Sequence, residues 1–341
     1  MKQFLNFLFL CLILIFSGKS FALSCVGTDG QVEGSGDIAS TVAVPPTLPV
    51  GSVIWRSQQY SVDLRCWQDT NFEGEYVYLY LNIYDPNQSM LGGQIEIGLN
   101  YHGRDYLCSS PGMQSGGFCR MQLDTYIWAC HDPSGCPSKG ANIKATFNFF
   151  IAKKKDGLPG QEGSLPNMPS VYPAVQFNGV AGINNLPGAK NYTINLHGLN
   201  NLRYVGCSSV VDVIPRTIDF GPISSFSAKK GEIIKERPIT IQATKGCTSA
   251  YGLNGNFFPV SGNLADLNAT LIPANNDSVG IQILNKDDLK KIEFKKEFVI
   301  APSNNTAKLV EKNLLARLLW NSNKAVIGDF NASAKLEIYY K

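Results

Sequence analysis

Residues 328–341 read GDFNASAKLEIYYK. Apolar side chains fall on every second position, at Phe330, Ala332, Ala334, Leu336, Ile338 and Tyr340. A period of two is that of a β-strand with one buried face. The intervening Asn331, Ser333, Lys335, Glu337 and Tyr339 suit a face left to water. The alternation continues to the last residues without a polar tail, so this strand is expected to be held by a sheet or a partner rather than to fray.

Upstream, Cys207 and Cys247 bracket a first hairpin, Ile218-Asp219-Phe220-Gly221 lies between them, and Val279-Gly280-Ile281-Gln282-Ile283 follows. Further strands are expected over residues 209–214, 233–243, 267–272, 279–285, 314–320 and 330–340. Together with Gly328, the small and apolar residues through Ile338, the penultimate Tyr340 and the final Lys341, this set resembles the C-terminal domain of chaperone–usher fimbrial subunits. The resemblance implies an incomplete immunoglobulin-like pilin sandwich of about six strands where the complete fold has about seven. It also implies the partners. A periplasmic chaperone would cover the open groove with its own strand, and an adjacent subunit would later replace it by strand addition. Leu336, Ile338, Tyr340 and Lys341 would be the contact residues, with the carboxylate of Lys341 anchored by basic groups of the chaperone. An outer-membrane usher would complete the export route.

At the other end, Lys2 precedes an apolar run from Phe4 to Phe16, and Ser20-Phe21-Ala22 supplies small residues for cleavage. Residues 1–22 therefore read as a secretory signal peptide. The run is short for a membrane span, and no later stretch approaches about 20 apolar residues. The chain holds 32 Gly and 18 Pro and shows no long 3.6-residue periodicity, which points to an all-β protein of two domains. Of nine cysteines, Cys11 leaves with the signal. The remaining eight are an even set, as in disulfide-bonded exported proteins, and no Cys-x-x-Cys suggests a zinc ribbon or redox motif. If the tail folds alone, Cys207 pairs with Cys247 and six cysteines remain for the head.

Charge divides the chain as well. Residues 23–200 carry 10 Lys+Arg against 14 Asp+Glu, and residues 201–341 carry 18 against 13. Neither half has the basic stripe of a nucleic-acid binder. Lys153-Lys154-Lys155, beside Asp156, reads as a solvated loop.

In the head, strands are expected over residues 52–57, 60–67, 75–84, 93–99, 120–129, 142–151, 171–177 and 192–196. The third places Tyr76, Tyr78, Tyr80, Asn82 and Tyr84 in an outer row, with Val77, Leu79, Leu81 and Ile83 on the core side. Leu48-Pro49-Val50-Gly51 between Cys25 and Cys66 is similar to a segment of two-domain tip adhesins of type 1 and type 3 fimbriae. That resemblance implies a lectin-like β-sandwich adhesin domain over residues 23–200, a linker at 201–206 and the pilin domain over 207–341. It implies a Cys25–Cys66 disulfide, leaving Cys108–Cys119 and Cys130–Cys136 as the local choice for the rest. Because Cys25 follows the signal so closely and a whole domain precedes Cys207, no free extension is available to donate. The subunit is expected to accept a strand, to sit at the tip of a cell-surface fimbria reached through the periplasm, and to bind a host glycan or extracellular-matrix protein.

Two places are candidates for that binding. Cys66-Trp67-Gln68-Asp69-Thr70-Asn71 is similar to the sugar-contacting stretch of the mannose-binding adhesins, which suggests Trp67, Gln68 and Asp69, although the aromatic N-terminus of those proteins is replaced by Leu23. The cysteine-rich residues 101–137 offer Tyr101, Asp105, Trp128, His131 and Asp132, with His102, Arg104, Tyr106 and Asp124 among them, on loops held by disulfides. Trp128, within Tyr126-Ile127-Trp128-Ala129, also reads as core, as does Trp320. Only His102, His131 and His197 could act as histidine bases, and neither a Gly-x-Ser-x-Gly elbow nor a His-Glu-x-x-His helix occurs. The chain is thus expected not to be an enzyme and to hold no cofactor. The competing classes are a metal-dependent adhesin, built on His102 and His131 at a spacing that fits no ligand motif, and a tip adaptor whose head has no ligand.

Overall fold

The computed structural model describes residues 23–68, 74–113, 117–131, 134–155, 163–165, 167–180, 190–224, 226 and 228–341. The expected signal peptide lies outside them. Among the described residues the protein is built almost wholly of strands, with one four-residue α-helix, Cys136–Lys139, and two 3-10 turns, Ser89–Leu91 and Leu199–Asn201. It divides into two compact units.

The first unit comprises the residues up to Asp37, Arg56–Phe150 and Pro169–Leu199. One of its sheets orders Leu23–Gly27, Tyr60–Gln68, Ala141–Lys153, Ile95–Tyr101 and Arg104–Tyr106. The other orders Glu33–Asp37, Thr193–His197, Val171–Asn178, Glu75–Leu81 and Arg120–Ile127. Alternation makes each strand present one apolar face: Leu79, Leu81, Phe147, Phe149, Phe177 and Ile194 are all buried. The rings of Phe147 and Phe177, from opposite sheets, meet at 5.8 Å and close the sandwich core. Cys25 and Cys66 are register partners on adjacent strands and are disulfide-bonded. Cys108–Cys119 and Cys130–Cys136 fasten short loops.

The outer tyrosine row differs from expectation. The strand stops at Leu81, and Asn82 turns the chain with a φ of 32° while its Oδ1 accepts from the backbone N–H groups of Tyr84 and Asp85. Tyr78 and Tyr80 are buried beneath Phe118 and Val180. The Tyr80 hydroxyl donates to Gly179 O at 2.6 Å and accepts from Arg120 at 2.8 Å, and burial pushes its pKa up to about 12.

The second unit comprises Ile38–Trp55, Ile151–Met168 and Asn200–Lys341. Its larger sheet orders Ser209–Ile214, Ile233–Lys245, Leu309–Trp320, Val279–Asn285, Thr270–Ile272 and Asn263–Ala265. A second sheet orders Phe298–Ala301, Leu253–Ser261 and Ser333–Tyr340. Ile241, Tyr251, Leu253, Leu314, Leu318, Trp320 and Tyr340 form the core, and Cys207–Cys247 ties its start. A third sheet joins Gly163–Ser164, Leu202–Tyr204 and Val42–Val44. Ala43 and Val205 enter the same core cluster as Tyr340.

The second unit thus takes up the chain again at Asn200, close to the expected boundary, and also draws in residues 38–55 and 151–168. Leu202–Tyr204 lies within the expected 201–206 linker but is a strand, parallel to Val42–Val44. Lys153 was expected in a solvated loop and is instead fully buried, its ammonium donating to the carbonyls of Pro46 and Leu48. A lysine can be buried this way because carbonyl oxygens replace its water.

Candidate functional site

The C-terminal strand is where the second unit departs from a finished sandwich. Ser333–Tyr340 pairs with Leu253–Ser261 on one side and ends its sheet, and Ser209–Ile214 pairs with Ile233–Lys245 on one side and ends the other. At one end the two edges meet. The Tyr340 hydroxyl accepts from Ser209 N at 3.0 Å and donates to Ser209 O at 3.2 Å, and burial pushes the Tyr340 pKa up to about 12. Away from this clasp the edges part.

Between them lies a cavity of about 450 Å³ walled by Val213, Ile218, Ile239, Phe257, Ile281, Phe294 and Ala332. It adjoins one of about 640 Å³ walled by Phe220, Ile223, Val279, Trp320 and Phe330. The result is an apolar groove bordered by two strands whose outer edges have no partner among the described residues. Such a groove has the period and hydrogen-bonding groups to take one more strand.

The alternation of residues 328–341 explains the groove, with one reversal. Leu336 and Ile338 pack on the core but stay only half-buried, because the sandwich is open in front of them. Glu337 and Tyr339, read as the wet face, are buried. The Tyr339 hydroxyl donates to Glu337 Oε2 at 2.5 Å, Lys335 pairs with Glu337 Oε1 at 2.6 Å, and Val42–Val44 lies against this strand. Lys341 exchanges backbone hydrogen bonds with Gly252 and pairs with Glu297 at 2.8 Å. Residues 330–332, expected in the strand, are outside it: Asn275 accepts from Asn331 N and donates to Asp329 O, so side-chain amides take up that backbone. The long Leu253–Ser261 partner strand went unseen in the sequence because Gly255 and Pro259 interrupt it. A Cβ at Gly255 would sit 2.6 Å from the Phe298 ring, which is why glycine stands there.

In the first unit the candidate ligand residues separate. Gln68 is 1% exposed and donates to Glu75 Oε1 at 2.9 Å, so it braces a buried carboxylate and does not reach solvent. Glu75 Oε2 accepts from Val180 N, and burial raises the Glu75 pKa against the pull of those hydrogen bonds. Trp67 is half-buried, and Asp69 lies outside the described residues. Asp105 takes both arms of Arg56 at 2.8 Å and the Asn100 amide at 2.6 Å, bonds that clamp it in place. Tyr101 is half-buried with its ring 4.1 Å from His102, and burial, then the Asp124 charge, raises its pKa. His131 is exposed and Asp132 lies outside the described residues. Trp128 overturns its core expectation: it is 77% exposed. Trp320 is buried as core. Among the described residues no group of three or more His, Cys, Asp or Glu could hold a metal ion.

Residues 194–341 match the family model described as "Fimbrial protein". The C-terminal part of this chain, somewhat under half of it, is therefore similar to a fimbrial protein domain. The open groove and the clasped C-terminal strand lie within the matched residues. Among solved structures, the chain is similar to the P pilus rod subunit PapA at 16% identity and a TM-score of 0.32, over 40% of this chain and 94% of that one. It is similar to the CupB6 tip adhesin from Pseudomonas aeruginosa at 11% identity and a TM-score of 0.29, over 93% of each chain. A third similarity, at 10% identity and a TM-score of 0.23, is to the CsuC–CsuE chaperone–tip adhesion subunit complex of Acinetobacter baumannii, over 93% of this chain and 100% of that one. These overlaps are loose.

Proposed function

We propose that this chain is a chaperone–usher fimbrial tip adhesin. Its fimbrial domain receives a strand from a partner, first the periplasmic chaperone and then an adjacent subunit, and its first unit binds a ligand at the end of the fibre. The observation that carries the assembly half is the apolar groove between Ser209–Ile214 and Ser333–Tyr340, two edges that have no strand neighbour on the groove side among the described residues. A strand laid there would pair with both edges and set alternate side chains among Ile218, Phe257 and Ile281. Covering a groove of this kind removes both exposed apolar area and unpaired backbone groups. The role is adhesive and structural rather than catalytic.

The test is a fusion in which the alternating N-terminal extension of a fimbrial shaft subunit follows Lys341 through a flexible linker. The fusion is expected to be monomeric and to melt at a markedly higher temperature than the unfused chain. Equal melting temperatures, with slow amide exchange on both edge strands of the unfused chain, would remove the strand-acceptor role.

A further inference from the structure

On the first unit, the outer face of the sheet that ends in Arg120–Ile127 changes character along its length. At one end Tyr78 and Tyr80 are roofed over by Phe118 and Val180. At the other, Tyr76, Tyr126 and Trp128 stand open, Trp128 most of all. They form a fixed train: Tyr76 meets Tyr126 edge-on at 5.1 Å, and Tyr126 meets Trp128 edge-on at 5.1 Å. We propose that this open aromatic face is the ligand platform of the adhesin and that its ligand is a chain of neutral sugars lying along the edge strand.

Several independent features prepare these rings. A Cβ at Gly74 would fall 2.7 Å from the Tyr126 hydroxyl and 2.5 Å from Ile127 O, so the absence of a side chain at Gly74 makes room for the ring. The pairing of the two strands slips between Tyr76↔Tyr126 and Tyr78↔Gln122, a bulge beside the rings of the kind that re-aims side chains. The Cys130–Cys136 disulfide pins the backbone two residues beyond Trp128. Rings already held by one another lose little freedom when a ligand arrives.

The chemistry of the row selects the occupant. Outward positions of the edge strand and its continuation are Gln122, Asp124, Tyr126 and Trp128, with no aliphatic side chain among them. A sugar offers apolar C–H faces to aromatic rings and hydroxyls to planar acceptors, and this row holds both. Gln122 Oε1 already accepts from the Tyr78 hydroxyl at 3.1 Å, a bond that orients its amide. Asp124 is the row's charge, and residues 23–200 are net acidic, so anionic polysaccharides are disfavoured and neutral ones are not. At about 3.3 Å per residue, Gln122 to Trp128 spans roughly 20 Å, room for several linked sugar rings instead of one.

The platform rests on the adhesin reading, and the experiment separates the two. The full chain, stabilised by the fused strand, is probed on an array of neutral oligosaccharides and, in parallel, for adherence to immobilised collagen, fibronectin and whole cells. Saturable binding to a neutral oligosaccharide is expected, weakened about tenfold by Trp128→Ala and by Tyr126→Ala, and largely restored by Trp128→Phe. Because Trp128 is exposed, its loss leaves the melting temperature unchanged, and that variant decides the matter even if Tyr126→Ala folds poorly. Glycan binding indifferent to Trp128→Ala overturns the platform. So does a blank array with adherence to a purified protein, a result that leaves the adhesin reading standing. Silence in every assay overturns both.

Discussion

The two units expose apolar surface in opposite ways. The second unit leaves aliphatic side chains uncovered inside an unfinished sandwich, between strand edges that still have hydrogen-bonding groups to offer. The first unit completes its core with Phe147 against Phe177 and puts aromatic rings outside, on the outer face of its sheet and the continuation of the edge strand. The first kind of exposure suits a polypeptide strand, whose backbone groups repeat in register with those of both edges. The second suits a ligand that can leave. In the proposed reading, permanent assembly and reversible contact would be separated by which groups each unit leaves uncovered.

The sharpest way to break this contrast is to delete residues 336–341. That removes the Tyr340 clasp and most of one groove wall, and the protein is expected to vanish from the periplasm when fractions are blotted. Stable monomer at normal levels would count against a strand that organises the domain.

Substitutions inside the first unit come next. Phe177→Ala should cost about 3–5 kcal/mol in denaturant unfolding, since it empties a closed core. Asp105→Ala, which strands the buried Arg56 guanidinium, should cost about 3 kcal/mol and leave ligand binding per folded molecule unchanged. A selective loss of binding would return Asp105 to the ligand site.

Ile218→Ala probes the open side. With the groove empty it should cost under about 1 kcal/mol, because little is packed against it, and the deficit should grow once a strand is fused in place. Equal costs with and without the strand would mean that Ile218 does not contact it.

The smallest effect is expected from Tyr340→Phe, which loses the hydrogen bonds to Ser209 and about 1 kcal/mol. Its pH dependence is distinctive. The Tyr340 pKa rises from 10.0 to about 12 on folding, so the neutral phenol stabilises the fold below pH 10, and that contribution is lost as pH climbs through 12. Alkaline melts of the wild type should therefore fall more steeply than those of Tyr340→Phe, although other buried tyrosines keep part of the slope in both.

What the sequence disclosed follows from range. The period of two in residues 328–341 is local, and so the C-terminal strand was legible to within a few residues. The spacing of the cysteines and the fimbrial pattern pointed to the same four disulfides that the structure forms. Trp128 misled because Tyr-Ile-Trp-Ala has the composition of a core strand. Its direction is set by alternation from Ile127, which faces inward. Gln68 misled in the other sense, since a polar residue after a disulfide looks solvent-facing until a buried Glu75 is placed beside it. The inclusion of Val42–Val44 in the second unit had no local signal at all, because its parallel partner lies some 160 residues later.

That early strand also bears on how the protein is handled and made. A fragment ending at residue 200 would carry Val42–Val44 without Leu202–Tyr204 to receive it, and a fragment starting at 207 would lack both. Dissection into two clean pieces is therefore not neutral for either piece. On the ribosome, Val42–Val44 waits for its partner strand until the chain is more than half synthesised, so this part of the second unit forms only after most of the first has been made.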